Sequence, residues 1–203
     1  MNRFMHLLID FDGTIADSAP MLLEKLRQTV PYPIELETLR GMSFRDILTR
    51  MNVGKLQFLY LIYSIRRDFK RNLHSIGLVD QMGEILKDLC EQGHHLHIVS
   101  SNSAKNIQHF LKHHQISHYF ESISSLYTVF NKASGLKALL KNKNMSHSDV
   151  IYIGDEIRDI EAALAAGIRS CAVCWGVNNE EALKRHHPHF LLNHPRELAA
   201  VFA

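Results

Sequence analysis

Asp10-Phe11-Asp12-Gly13-Thr14 follows an apolar run, Phe4–Ile9, that reads as a strand. In extended backbone, residues i and i+2 point the same way. Asp10 and Asp12 are therefore expected to project together from the strand's carboxyl end, with Phe11 turned into packing. Two carboxylates that close repel unless a cation or a shared proton offsets them. Gly13 lets the backbone turn sharply after them. A second acidic set, Gly154-Asp155-Glu156-Ile157-Arg158-Asp159, follows the apolar run Val150–Ile153. Asp155 and Asp159, four apart, are expected on one face of the helix that starts there. Asp10, Asp12 and Asp155 are hard oxygen donors with no soft donor nearby, which suits Mg²⁺ rather than Zn²⁺.

Two further groups fit an anion. Ser100-Ser101-Asn102-Ser103 follows the run His95–Val99, and hydroxyls and amides at a helix N-terminus bind anions. Lys132 opens another helical pattern and reaches a phosphate as a point charge. Singly, these features read as a turn, a cap or a solvated lysine. Together they place acid, hydroxyl, lysine and acid at the carboxyl ends of successive strands, the edge where open α/β sheets bind ligands.

The elements that must position these groups follow from periodicity. Phe4–Ile9, His95–Ser100, a run around Phe120–Ile123, Val150–Gly154 and Ile168–Val173 read as strands. Ala104–His114, Lys132–Lys141 and Ile157–Ala166 repeat apolar residues at helical spacing. Such alternation predicts an α/β fold, a parallel sheet with helices on both faces. A short strand, His189–Leu192, and a helix, Arg196–Phe202, complete it. Residues 16–79 break the rhythm and read as a helical insertion, punctuated by Pro20, Pro31, Pro33, Gly41, Gly54 and Gly77. The core is then residues 1–15 and 80–203.

Composition bounds the rest. The 203 residues are 46% hydrophobic and 22% charged, which fits one packed domain and excludes a disordered chain. A net charge of +2 gives no field for nucleic acid or an anionic membrane. Three cysteines, Cys90, Cys171 and Cys174, make no disulfide framework and fit a reducing compartment. The Cys171–Cys174 pair reads as part of a buried strand rather than a zinc site. The fourteen histidines include His94-His95-x-His97, His113-His114 and His186-His187-Pro188-His189, none at a catalytic strand end. Acidic Asp10 interrupts any signal-peptide core, and the run Leu56–Ile65 is far short of the ~20 residues of a membrane span. A cytoplasmic protein, monomer or homodimer, is expected.

The motifs resemble those of the haloacid dehalogenase-like hydrolases, in particular the phosphoglycolate-phosphatase-like branch with a helical cap after the first strand. Asp10-Phe11-Asp12-Gly13-Thr14 matches the first motif, Ser100 the second, Lys132 the third and Gly154-Asp155-x-x-x-Asp159 the fourth. The resemblance implies a Rossmann-like core with a mobile cap at 16–79, and Mg²⁺-dependent hydrolysis of a small phosphorylated metabolite. It implies that Asp10 attacks phosphorus and Asp12 is the acid and base. Mg²⁺ would lie between the Asp10 side chain, the Asp12 carbonyl and Asp155. Ser100, Ser101, Asn102 and Lys132 would bind the phosphoryl group, and Asp159 would orient Lys132 or support the metal shell. Arg45, in a segment that resembles the family's substrate-facing cap loop, is expected to bind a second anionic group. Arg66 and Arg67 read as solvated, and Phe58–Ile65 as cap core. Asp12 argues against a dehalogenase, which has no leaving alcohol to protonate. A β-phosphoglucomutase-like phosphotransferase, favoured by Gly41-x-Ser43-x-Arg45, and a non-catalytic phosphate-metabolite binder are the rival readings.

Overall fold

Six parallel strands in the order β3-β2-β1-β4-β5-β6 form one sheet in the computed structural model, which describes residues 4–29, 32, 34–50, 52, 54–126 and 132–202. β1 (His6–Ile9) lies between β2 (His95–Ser100) and β4 (Val150–Gly154). β3 (Phe120–Ser125) flanks β2, and β5 (Arg169–Val173) and β6 (Phe190–Leu192) extend the far side.

Alternation along the strands decides which helices cover which face. Leu7 and Ile9 pack, with Leu96, Ile98, Ile151 and Ile153, against α5 (Met82–Glu91), α6 (Ala104–His113) and α10 (Glu197–Val201). Leu8, Val99, Val150 and Tyr152 point the other way, under α7 (Lys132–Asn142) and α8 (Ile157–Ala166). A sheet buried on both faces needs near-continuous apolar strands, which is what the central runs supply. The result is the parallel α/β sheet that the alternation predicts, in the Rossmann-like form that the resemblance implies. β1 starts at His6 and β5 at Arg169, each slightly inside the span read from hydropathy.

Between β1 and α5 the described residues form helices and no named strand: α1 (Ala19–Thr29), α2 (Leu36–Arg40), α3 (Phe44–Arg50) and α4 (Lys55–Arg71). They share an apolar cluster of Leu23, Leu26, Leu39, Ile47 and Leu61, which meets the rest of the chain at Val177. Pro31 and Pro33, read as breaks, lie outside the described residues. The expectation that Phe58–Ile65 is core needs correction. Leu61 is buried, but Leu59, Tyr60 and Tyr63 are exposed. An isolated amphipathic helix presents only one stripe inward, whatever the length of its apolar run. No described helix is long and apolar enough to cross a membrane.

Candidate active site

Asp10 leaves the carboxyl end of β1 and Lys132 opens α7. Lys132 Nζ donates to Asp10 Oδ2 at 2.9 Å and also to Asp159 Oδ1. The other Asp10 oxygen, Oδ1, accepts the Phe11 N–H at 2.8 Å. Burial alone would lower the Lys132 ammonium, but Asp10 and Asp159 beside it hold it above the ordinary lysine range. Phe11 is fully buried, edge-on to Phe69 and Phe110. This apolar anchor fixes the residue between the two aspartates.

Asp155 follows β4 and is fully buried. Thr14 Oγ1 donates to its Oδ1 at 2.8 Å and the Val177 N–H to its Oδ2 at 2.7 Å. Gly13 has φ +74°, and a Cβ there would lie 2.3 Å from Asp155 Oδ2, so both conformation and space demand glycine. The expectation that Asp155 and Asp159 share a helix face is corrected. α8 starts only at Ile157, so Asp155 comes from the strand end and Asp159 from the first helical turn, where its Oδ2 accepts the Glu156 N–H at 3.0 Å. They nevertheless converge: Asp10, Asp155 and Asp159 each offer an oxygen within 4.8 Å of the others. Burial, then Glu156, Asp159 and Asp10, push the Asp155 carboxyl well above the usual range. Burial likewise raises Asp159 to about 6, against the opposing pull of Lys132. Three buried carboxylates, two of them paired with Lys132, form a donor set that a hard divalent cation fits.

Asp12 is not part of that group. Its side chain turns to Ser18, whose Oγ donates to Oδ1 at 3.0 Å, and to Asn102, whose Nδ2 donates to Oδ2 at 3.0 Å. Burial and then the Asp10 charge raise its carboxyl to about 6, against these two donors. The loop after β2 is ordered from within. Ser100 Oγ accepts the Asn102 N–H at 3.1 Å, and Ser103 Oγ caps α6 through the Asn106 N–H at 3.2 Å. Thus Asp10, Asp12, Gly13, Thr14, Ser100, Asn102, Lys132, Asp155 and Asp159 gather at one edge of the sheet.

Two cavities open there. An inner one of about 60 Å³ is lined by Asp12, Phe44, Ile65, Arg66, Asn102 and Arg158, among others. An outer one of about 430 Å³ meets Phe44, Arg45, Lys132 and Arg158. Arg45 is exposed and lies only in the outer cavity, apart from the inner one. Arg66 was read as solvated. Instead it is half-buried and donates from Nη2 to the Ser101 carbonyl. Arg67 lies beside Asp68 and over the Tyr63 ring.

Two residues of this edge escaped the sequence reading. Arg158 was visible as a charge inside the Asp155–Asp159 run, but nothing in the run shows it turned inward. Its Nη2 pairs with Glu156 Oε1 at 2.5 Å, and its guanidinium lies 5.5 Å from the Phe44 ring centre. Asn178 carried no signal. Its Oδ1 accepts the Ile157 N–H at 2.9 Å, and its Nδ2 donates to the Arg40 and Met42 carbonyls, each at 2.8 Å. That one side chain ties the start of α8 to the α2–α3 turn.

His186 lines the outer cavity, whereas the strand histidines lie elsewhere. His6 Nδ1 and His97 Nε2 are 3.1 Å apart, and His95 bonds Glu121, in the amino-terminal halves of β1 to β3. Burial lowers His97 to about 4, keeping it neutral. The cysteines are free thiols, and burial raises Cys174 to about 11.

The sequence profile of the haloacid dehalogenase-like hydrolases matches residues 7–173. A phosphoglycolate phosphatase of Synechococcus elongatus is 30% identical over 199 residues, covering 95% of this chain and 94% of the relative. The pyrophosphatase PpaX of Bacillus pumilus is 25% identical, covering 96% and 94%. Among solved structures, a predicted phosphatase from Clostridium acetobutylicum superposes with TM-score 0.80 at 23% identity, covering 98% of this chain and 97% of that one. A haloacid dehalogenase-like protein of Streptococcus pneumoniae gives 0.79 at 23% identity over the full length of both. A profile matched over most of the chain, and a relative matched nearly end to end, place the protein: it belongs to the haloacid dehalogenase-like hydrolase family and is one of its phosphatases.

Proposed function

We propose that the chain is a Mg²⁺-dependent phosphatase that hydrolyses a small phosphate monoester through an aspartyl-phosphate on Asp10. The observation that carries this reading is the division between the two aspartates of the first motif. Asp10 sits with Lys132 in the acidic group, whereas Asp12 is turned aside with its carboxyl raised to about 6. On this reading Asp10 attacks and Asp12 holds the proton.

Asp10 attacks phosphorus as the bond to the leaving oxygen breaks, and the Asp12 carboxyl gives that oxygen its proton. Water then attacks the phosphorus of the aspartyl-phosphate and gives its proton to Asp12; the bond from phosphorus to the Asp10 oxygen breaks, so inorganic phosphate leaves and the Asp10 carboxylate is regenerated. Ser100, the Ser101 backbone amide, Asn102 and Lys132 orient the phosphoryl oxygens and offset their charge. Asp159 holds Lys132. The Asp10 side chain, the Asp12 carbonyl and Asp155 would hold Mg²⁺, whose charge offsets repulsion between carboxylate and phosphate. Gly13 and Thr14 keep Asp155 in place.

On this reading residues 16–79 are a cap over a core of 1–15 and 80–203. In the motif of the phosphotransferase alternative, Ser43 Oγ caps α3 through the Asp46 N–H at 3.1 Å. Free cysteines fit a cytoplasmic enzyme. Phosphate release from p-nitrophenyl phosphate and from short phosphate monoesters, with Mg²⁺ and with excess chelator, tests the reading. Mg²⁺-dependent release is expected, and release from none of them would refute it.

A further inference from the structure

We propose that Arg158, with Arg66 opposite, forms a subsite for a second anionic group of the substrate, a carboxylate or a second phosphate close to the one removed. The proposal rests on the phosphatase reading of the site and names what its substrate carries.

Arg158 lines both cavities and stands at their boundary beside Phe44. Among the described residues only its Nη2 is engaged, by Glu156 at 2.5 Å and, at the limit of a hydrogen bond, by Ser101 Oγ at 3.5 Å. Its Nε is buried without a hydrogen-bond partner among the described residues. An unsatisfied donor in a low-dielectric site is costly, and an arriving acceptor relieves it. The Glu156 contact holds the guanidinium in one orientation, and the Phe44 ring face supports it from the helical segment. A planar fork so held suits bidentate capture of a carboxylate or phosphate.

Position completes the argument. Ser101 belongs to the loop that binds the phosphoryl group, and both arginines touch it: Arg66 at its carbonyl, Arg158 at its hydroxyl. An anion reached by this pair thus lies beside the loop that binds the phosphoryl group. The ionic groups lining that cavity are Asp12 and Glu156 against Arg66 and Arg158. Arg45, exposed and facing only the outer cavity, lacks this desolvation.

The test compares matched molecules with and without the second anion. In the wild-type enzyme, kcat/KM for 2-phosphoglycolate or for pyrophosphate should exceed that for 2-hydroxyethyl phosphate by about ten- to a hundredfold, the size of a lost charge-assisted bond. The paired variant Arg158→Met/Glu156→Gln removes both charges, leaving no lone carboxylate, and should bring that ratio to within about threefold of unity. Arg158→Lys, which keeps charge but not the fork, should fall between. Titration calorimetry needs no turnover: 3-phosphonopropionate or methylenediphosphonate should bind the wild type more tightly than propylphosphonate, and the paired variant should lose the difference. Which anionic member is preferred tells carboxylate from phosphate. Equal treatment of all partners by the wild type in both measurements would overturn the subsite, as would a preference that survives in the paired variant. Absence of any phosphate release would refute the phosphatase reading alone, because the calorimetry still decides the subsite.

Discussion

The carboxyl edge of the sheet and the helical segment from α1 to α4 approach the same cavities by different means. At the sheet edge, backbone register does the positioning. Ile9 pairs with Ile98 on one side and Ile153 on the other, so the ends of β1, β2 and β4 finish level. Asp10 leaves the first of these ends, Ser100 closes the second, and Asp155 leaves the third. The helical segment has no such frame. It meets that edge mostly through side chains, with Arg66 on the Ser101 carbonyl, Phe44 beside Arg158, and Asn178 on the Arg40 and Met42 carbonyls, and through one backbone bond from the Asn179 N–H to the Arg40 carbonyl. On the proposed reading, the residues that would meet the phosphoryl group are held by the ladder, and those that would meet the rest of the substrate are held by contacts between segments.

If this contrast is right, changes at the edge abolish turnover, and changes in the segment alter selection or stability. Asp10→Asn should lower kcat by at least about 10²-fold while leaving the circular-dichroism spectrum and melting cooperativity intact, since the amide is a poor nucleophile and one repelling carboxylate is gone. A variant retaining a tenth of the rate would remove Asp10 from the chemistry. Excess EDTA should stop phosphate release, and Ca²⁺ should bind without restoring it, because its longer, more numerous contacts engage both carboxylate oxygens. Equal rates with Ca²⁺ and Mg²⁺ would contradict this.

Asp12→Asn sharpens the contrast through stability. The Asp12 carboxyl stands at about 6 against an ordinary 3.8, so the folded state holds its proton more tightly than the unfolded chain. Ionisation therefore opposes folding: the penalty is absent below about pH 4, grows as pH rises to about 6, and is complete above. Two units at ~1.4 kcal/mol each give up to about 3 kcal/mol. Metal-free Asp12→Asn should melt higher than wild type at pH 7.5 and no higher at pH 4. A gain that does not change with pH would place its origin elsewhere. Asn178→Ala should cost about 1–3 kcal/mol by orphaning buried backbone groups on both sides, with KM raised more than kcat is lowered. Denaturant melts and steady-state kinetics together check it. Arg45→Ala marks the small end, with less than about a threefold change in kcat/KM for any small monoester. A tenfold loss for anionic substrates alone would move the second-anion subsite to the outer cavity.

The same contrast governs what was legible in the sequence. Strand and helix periods, and acids placed just after apolar runs, disclosed the parallel sheet and the residues on its edge, because there local pattern and tertiary position coincide. Arg158 illustrates the limit. Its place in the first turn of α8 was evident, but its inward turn depends on Phe44, more than a hundred residues earlier. Asn178 follows the Val177 turn and looks like any polar loop residue, since its three partners come from two distant segments. The Phe58–Ile65 run misled for the opposite reason. Hydropathy counts apolar residues, but the face that Leu59, Tyr60 and Tyr63 occupy is decided by what the helix packs against. The His94-His95-x-His97 cluster likewise gave no hint that His6, from a neighbouring strand, completes it.

The central place of β1 has a consequence for how the chain is made. Its two partners are β2 and β4, with His6 pairing to His95 and to Val150. At ~5–20 residues per second of synthesis, β1 emerges about 7–30 s before the second of those partners. During that interval Leu7, Leu8 and Ile9 have no complete sheet to enter. Loop closure over such separations makes β1–β4 pairing slow, and the ladder edge stays open until it happens. The strand that carries Asp10 is thus the one most in need of a chaperone's protection on a nascent chain.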